Sequence, residues 1–369
     1  MSDTSKKYFI TGGGTGGHIY PAVAVANKLG KENIIYVGNP KNLEYKIARQ
    51  NGFEFLPVSI SGMPRKINLK FILWGIQFVL STIKAFYYLK KYKPKAIFGT
   101  GGYVSAPIIF AAMLYGKIPY MLHDCDSIPG IVTRKTAPKA ACVSLAFESA
   151  KKYIDNPNCI VNGNPIRSEF KTLGQKYARI SLNLEETLTL GIMGGSQGSK
   201  SINESATEII RELSEKYGIQ IIFQTGAKNY ADVTDRLRKI YPNYENNPKL
   251  IIKPYFDDMI TVLKSCDIVI SRAGSLSISE ICASNLASIL VPYPHAAANH
   301  QQKNADFLMS KGACVVINDK ELNPNSLMET IIDLISNPQK VSYIKQNASD
   351  LAKTNALDEI AEQFEKLTV

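Results

Sequence analysis

Across the 69 positions between Glu54 and Asp124 the sequence has no acidic residue at all. The same stretch carries Arg65, Lys66, Lys70, Lys84, Lys90, Lys91, Lys93, Lys95 and Lys117, nine basic residues in a chain whose formal net charge is +11. A one-signed field of this kind attracts anions: nucleic acid, a phosphorylated substrate or acidic lipid. Paired cysteines are also missing. The six (Cys125, Cys142, Cys159, Cys266, Cys282, Cys314) form no CxxC, which argues against a zinc ribbon or disulfide framework and reads as reduced packing residues. The N-terminal residues contain no apolar signal-peptide run before the first strand, so a cytosolic location is expected. With 369 residues, 45% hydrophobic and 20% charged, the chain reads as globular and long enough for two domains.

Within the acid-free stretch, Leu69 to Leu89 is rich in large apolar residues. Its uncharged core, Phe71 to Ile83, is too short to span a bilayer. On a helix, Leu69, Ile72, Leu73, Ile76, Leu80, Ile83 and Tyr87 share one face, the expected core stripe. Phe71, Trp74 and Phe78 fall opposite, beside Lys70. An apolar stripe among lysines is the pattern of a helix lying in a membrane interface, so Lys70, Phe71, Trp74 and Phe78 are the expected membrane contacts.

Short apolar runs alternate with helical patterns in both halves. Strands are expected at Tyr8–Ile10, Ile34–Val37, Ala96–Phe98, Tyr120–Leu122 and Ala141–Ser144, with a helix from Ala22 to Leu29. A second set follows at Leu188–Met193, Ile219–Gln224, Leu250–Ile252, Asp267–Ile270, Ser288–Val291 and Cys314–Ile317. The alternation predicts α/β architecture: two doubly wound parallel sheets facing a cleft, with ligands at the carboxyl ends of the strands. Asn162-Gly163-Asn164-Pro165 marks the boundary, giving domains at 1–164 and 165–345. The segment 346–369 is read as a terminal helix packing back on the first domain.

Three glycine turns follow strands. Thr11-Gly12-Gly13-Gly14-Thr15-Gly16-Gly17-His18 is the densest. Its backbone amides, with a helix N-terminus behind them, suit an anion. Gly12, Gly14 and Gly17 satisfy GxGxxG, but Tyr36-Val37-Gly38-Asn39-Pro40 offers no acidic residue for a dinucleotide ribose. His18 stands where a Walker loop needs lysine. The second turn is Gly99-Thr100-Gly101-Gly102-Tyr103. The third, Gly194-Gly195-Ser196-Gln197-Gly198, is one substitution from a Walker loop: Gly194, Lys200 and Ser201 fit and Ser199 takes the glycine position, which disfavours a nucleoside triphosphatase without excluding it. One phosphate loop per half suits two phosphorylated ligands.

These segments together carry a resemblance. Gly13 to His18 with Pro21-Ala22, Gly101-Gly102-Tyr103-Val104-Ser105, Gly163-Asn164-Pro165-Ile166-Arg167, Gly194 to Gly198, and Ser271-Arg272-Ala273-Gly274 through Glu280 resemble the MurG family, in its order and over nearly the whole chain. The resemblance implies a GT-B fold of two Rossmann-like domains, an inverting transfer of N-acetylglucosamine from UDP-N-acetylglucosamine to lipid I (the alternative being a related transferase acting on diacylglycerol or another polyprenyl diphosphate), and chemistry needing no metal or cofactor. It implies a peripheral location on the cytoplasmic face of an anionic membrane and cell-wall synthesis proteins as partners rather than nucleic acid. Donor contacts would come from Arg167, Ser196, Phe256, Ser275, Leu276, Ser277, Ile278, Ser279, Glu280 and Gln302. Gly14, Thr15, Gly16 and Gly17, with Gly101, Gly102 and Tyr103, would cradle the acceptor diphosphate, with Thr15, Gly16 and Gly17 also within reach of the donor. His18, whose ordinary pKa lies near neutrality, would take the acceptor proton, or else hydrogen-bond sugar or phosphate. The family pattern His-Glu-Gln-Asn here reads His123-Asp124-Cys125-Asp126. Asp124 keeps the carboxylate, as a second catalytic candidate, while Asp126 places an acceptor-only anion where the donor contact is an amide.

Overall fold

The computed structural model describes residues 7–64, 66–195, 197–296 and 299–368. Two positions singled out from the sequence, Arg65 and Ser196, lie outside the described residues. The chain divides into two compact units, Met1–Arg167 with Thr354–Val369, and Ser168–Lys353.

The first unit is built on seven parallel strands: β1 (Tyr8–Thr11), β2 (Ile34–Gly38), β3 (Glu54–Pro57), β4 (Ile97–Gly99), β5 (Tyr120–Asp124), β6 (Cys142–Leu145) and β7 (Cys159–Val161). Their order is β3-β2-β1-β4-β5-β6-β7. Every residue of β1, β2, β4, β5 and β6 is buried, as expected for a sheet covered on both faces. The edges β3 and β7 are partly exposed. Neither edge was expected: β3 holds a glutamate and a proline in four residues, and β7 is three residues long, so neither shows a strand pattern.

The second unit repeats the plan with β8 (Thr189–Met193), β9 (Gln220–Gln224), β10 (Leu250–Lys253), β11 (Ile268–Ser271), β12 (Ala287–Leu290) and β13 (Val315–Val316), in the order β10-β9-β8-β11-β12-β13. Each sheet therefore has one point where successive connections leave in opposite directions: between β1 and β4, and between β8 and β11. Such a switch opens a crevice at the strands' carboxyl ends. All three glycine turns lie at these two crevices.

The apolar run forms the helix Leu69–Tyr92, capped by Asn68, whose side chain accepts from Phe71 N. Its faces are the reverse of those read from the sequence. The supposed core residues Leu69, Ile72, Leu73, Ile76, Leu80, Ile83 and Tyr87 are all exposed, from 54% at Ile76 to 70% at Leu69. The supposed membrane residues Phe71, Trp74 and Phe78 are half-buried. Trp74 stacks on Phe78, whose ring meets Phe110 edge-on at 5.5 Å. The reason is polar as well as apolar. Trp74 Nε1, Ser81 Oγ and Tyr88 OH, seven residues apart, donate to the carbonyls of Ser61, Ser59 and Pro57 at 2.9, 2.6 and 3.2 Å. Two turns of helix per step thus match two residues of extended chain, and an indole N–H is satisfied on the inner face. By length and composition this helix could also cross a bilayer.

Towards the C-terminus, the helix Pro338–Asp350 buries Ile344 and Ala348 in the second unit, and the helix Ala356–Glu365 belongs to the first. The division thus falls after 353, where 345 was expected, and after 167 at the other junction. Phe364 is fully buried, its ring 5.1 Å from Tyr8 and 5.5 Å from Phe98. Asn162 Nδ2 donates to Glu359 at 2.9 Å. All six cysteines are free, five of them buried. Truncating Phe364 removes a large ring packed against side chains of two neighbouring strands, so Phe364→Ala should cost about 3–5 kcal/mol by chemical denaturation. A loss under about 1 kcal/mol would show that this helix is not part of the first unit's core.

Candidate active site

β1 ends at Thr11, the chain crosses Gly12 to Thr15, and the helix Gly16–Lys28 begins. That start lies six residues earlier than the pattern at Ala22 suggested, because the last glycines are themselves the first turn. Thr15 at the N-cap gives no side-chain cap and the first turn holds no acid, so the positive end of the helix is not covered by a side chain of its own cap. The turn after β4 closes against this loop. A Cβ on Gly12 would collide with the Thr100 hydroxyl, and one on Gly102, where φ is +75°, with the Gly13 carbonyl. Only glycine lets the two backbones approach this closely. The Tyr103 ring lies against Gly14, and Gly101 lies beside the His18 imidazole. The structure therefore brings Gly14, Gly101, Gly102, Tyr103 and His18 into one crevice.

His18 is held by a residue that its sequence context did not reveal. Thr100 is buried; its hydroxyl donates to the His18 carbonyl at 2.5 Å, and its own carbonyl lies 2.9 Å from His18 Nδ1. A carbonyl can only accept, so Nδ1 carries a proton and, in the neutral ring, Nε2 carries the lone pair. Glu44 is the second such residue. It is fully buried under the glycine loop, accepting from Gly14 N at 3.4 Å and Asn39 N at 3.3 Å. In sequence it is an ordinary acid in the first turn of a short helix.

Asp124, at the end of β5, does not supply the hydrogen bond to His18 Nδ1 that Thr100 makes. Its Oδ1 accepts from Asp126 N at 3.3 Å and its Oδ2 from Gly130 N at 2.9 Å, which folds the 125–130 loop. Burial pushes Asp124 up to about 6, and the Asp126 carboxylate adds to this; hydrogen bonds from Thr133 and Gly130 and the nearby His18 work the other way. His123 lies beneath. Burial pulls it down to about 4, so it is neutral at pH 7. Its Nε2 donates to Asn164 Oδ1 at 3.3 Å, leaving Nδ1 to accept from Ser144 Oγ at 3.0 Å. The Asn164 amide, from the Gly163-Asn164-Pro165 motif, also reaches the Cys125 carbonyl at 3.5 Å. Arg167 is exposed at the end of the first unit.

In the second unit Gly194 to Gly198 leads into the helix Lys200–Glu215, capped by Ser199, whose hydroxyl accepts from Ile202 N. Gln224, at the end of β9, staples this turn: its Nε2 donates to the Gly195 carbonyl at 3.2 Å and its Oε1 accepts from Phe256 N at 2.9 Å. Phe256 is buried, so its backbone is fixed and little of its ring faces solvent. Across the switch, Arg272 donates to Asp319 and Ser201 and to the carbonyls of Val291 and Pro292. Asn304 Nδ2 donates to the Ala273 carbonyl at 3.2 Å. These bonds fix the turn Arg272-Ala273-Gly274, after which the helix Ser275–Ala283 starts without a side-chain cap. Ser275, Leu276, Ser277, Ile278, Ser279 and Glu280 all lie on that helix. Gln302, on the helix His300–Ser310, is oriented by Asp306, to which its Nε2 donates at 2.9 Å. Among the described residues no group of three or more His, Cys, Asp or Glu is placed to hold a metal ion.

The Asp124 shift has a definite sign. Its folded value of about 6 lies above the ordinary 3.8, so ionisation opposes folding, and the stability held at low pH is lost as pH rises from about 4 to above 6. The melting temperature of wild type minus that of Asp124→Asn should therefore fall between pH 4 and pH 7. A difference that stays constant or grows would show that Asp124 titrates normally.

The chain matches the glycosyltransferase family 28 N-terminal domain over residues 8–144 and the C-terminal domain of the same family over residues 189–364. It is 34% identical over 368 residues to the UDP-N-acetylglucosamine–N-acetylmuramyl-(pentapeptide) pyrophosphoryl-undecaprenol N-acetylglucosamine transferase of Carboxydothermus hydrogenoformans, covering 98% of this chain and 97% of that one. To the enzyme of the same name from Desulforamulus reducens it is 36% identical over 366 residues, covering 97% and 98%. The crystal structure of MurG from Acinetobacter baumannii shares the fold, with a TM-score of 0.78 at 24% identity over 98% of this chain and 99% of that one. With both domain models matched and full-length relatives above 30% identity, the chain belongs to glycosyltransferase family 28, and its two Rossmann-like domains are those of a GT-B glycosyltransferase.

Proposed function

We propose that this chain transfers N-acetylglucosamine from UDP-N-acetylglucosamine to the muramyl 4-hydroxyl of lipid I, the polyprenyl-diphosphate muramyl-peptide that its relatives' name describes, with inversion at the anomeric carbon. The carrying observation is the pair of glycine crevices, one at each switch point, in a chain that aligns end to end with those transferases. The acceptor diphosphate is assigned to Gly14, Thr15, Gly16, Gly17, Gly101, Gly102 and Tyr103. The donor is assigned to the uncapped start of Ser275–Ala283, with Glu280 accepting from ribose hydroxyls, Phe256 beside the uracil, and Arg167, Asp126 and Gln302 as further contacts.

His18 is the assigned base. With Nδ1–H tied to the Thr100 carbonyl, the free lone pair sits on Nε2, the atom that takes the acceptor proton as the hydroxyl attacks. Asp124 is assigned to hold the loop beside it rather than to carry the proton. Labelled UDP-N-acetylglucosamine with lipid I should give labelled disaccharide lipid; label transferred only to diacylglycerol, or UDP released without any glycolipid, would overturn the assignment. His18→Ala should lower kcat on the order of 10²-fold with donor affinity nearly unchanged, and unchanged turnover removes His18 from the chemistry.

The membrane contact is assigned to the exposed strip Ile72, Leu73, Ile76, Leu80 and Ile83, flanked by exposed Lys66, Lys70, Lys84 and Lys90. The other side of the helix is held by three hydrogen bonds and Phe110. It can therefore lie in an interface without leaving the domain, on the cytoplasmic face where anionic lipid meets the lysines. Ile76→Ser with Leu80→Ser should weaken binding to anionic vesicles and leave the melting temperature nearly unchanged, whereas Trp74→Ser with Phe78→Ser should lower the melting temperature. The opposite assignment of effects would return the membrane to the Trp74 face.

A further inference from the structure

Beside the first glycine crevice, within the first unit, lies a cavity of about 290 Å³, room for roughly ten waters. Four separate segments wall it: Lys41 and Asn42 after β2, Ser59 and Ser61 after β3, Gln77 on the apolar helix, and Tyr103 after β4. We propose that this cavity receives the peptide arm of the acceptor. The inference rests on the acceptor assigned above and adds to it a specificity site.

Tyr103 is the wall common to crevice and cavity. Its ring lies against Gly14, where the diphosphate is assigned, and its hydroxyl accepts from Asn42 Nδ2 at 3.0 Å. A hydroxyl that accepts keeps its own proton to donate. Gln77 is similarly half-used: its Oε1 accepts from Ser61 N and Ser61 Oγ at 3.3 and 3.1 Å, so its N–H pair is the part left to donate. Lys41 is exposed and contributes an ammonium, and none of the lining residues is an acid. A phosphate is better served by the backbone amides of the adjacent glycine turns. Side-chain amides, hydroxyls and one ammonium instead match a chain of amide N–H and C=O groups that also carries carboxylate. Muramic acid bears its peptide on the same sugar as the diphosphate. A diphosphate seated on Gly14 and Gly102 therefore places that arm within about one sugar ring of Tyr103.

The test compares two short-chain polyprenyl acceptors, one with the full peptide and one with only the lactyl carboxylate, on wild type, Lys41→Ala and Gln77→Glu. The second substitution keeps the oxygen that Ser61 needs and replaces the donating amide by a carboxylate oxygen. Expected is a loss in kcat/KM on the order of tenfold for each variant with the peptide-bearing acceptor. Activity with the peptide-free acceptor should stay within about twofold, and melting temperatures should be close to wild type. Equal losses on both acceptors, or none on either, would overturn the peptide site while leaving the lipid acceptor standing. No transfer by wild type to either acceptor would sink the acceptor assignment and this inference with it.

Discussion

The first unit depends on how closely two backbones approach each other between β1 and β4. Strand order makes these neighbours although 85 residues lie between Thr11 and Ile97, so the loops that follow them must share one crevice. Thr100 can bond His18 at both its carbonyl and its ring only because Gly12 and Gly102 present no side chain. The same closeness has three consequences: the Thr100 hydroxyl is placed on the His18 carbonyl, the imidazole tautomer is set, and Tyr103 is laid against Gly14. A larger residue at either glycine would disturb all three together.

The second unit reaches an equivalent crevice by other means. Its loops are tied by side chains that cross between strands: Gln224 from the Gly195 turn to Phe256, and Arg272 from the Gly274 turn to Asp319 and Ser201. The Arg272–Asp319 pair is largely buried, with side-chain exposures of 12% and 21%. Removing two charges from water offsets much of what their attraction contributes. The pair's clearest effect is therefore positional, since the guanidinium also takes two backbone carbonyls and so fixes the turn that ends at the uncapped helix.

What could be read from the sequence follows from the range of the interactions involved. Glycine turns after apolar runs are local signals, and they located both crevices; the central strands and all six of the second unit were legible for the same reason. Glu44, Thr100 and Gln224 were not, because each acts on a partner that only the sheet order brings near: Thr100 on His18 is 82 positions away. The apolar helix shows a different limit. Both of its stripes are apolar, so periodicity finds two faces and cannot rank them. Their ranking comes from the carbonyls of Pro57, Ser59 and Ser61, laid alongside by an edge strand that the pattern did not show.

The Asp124-Cys125-Asp126 segment departs from the family's pattern in a way its geometry explains. A short carboxylate accepting from the N–H two residues on is an Asx turn, which Asp124 makes with Asp126 N; the longer arm of glutamate does not close that ring. With the turn closed, the Asp126 carboxylate acts on a buried neighbour and raises it. Thr133 hydrogen-bonds Asp124 and borders Gly101, so an anion bound on the Gly101-Gly102 turn acts on Asp124 with the same sign as Asp126 does. Anion binding and proton uptake at Asp124 are then linked, each favouring the other. That linkage would offset part of the cost of holding the proposed diphosphate beside two carboxylates; the family's glutamate keeps the first carboxylate, but its asparagine at 126 would not supply the second charge.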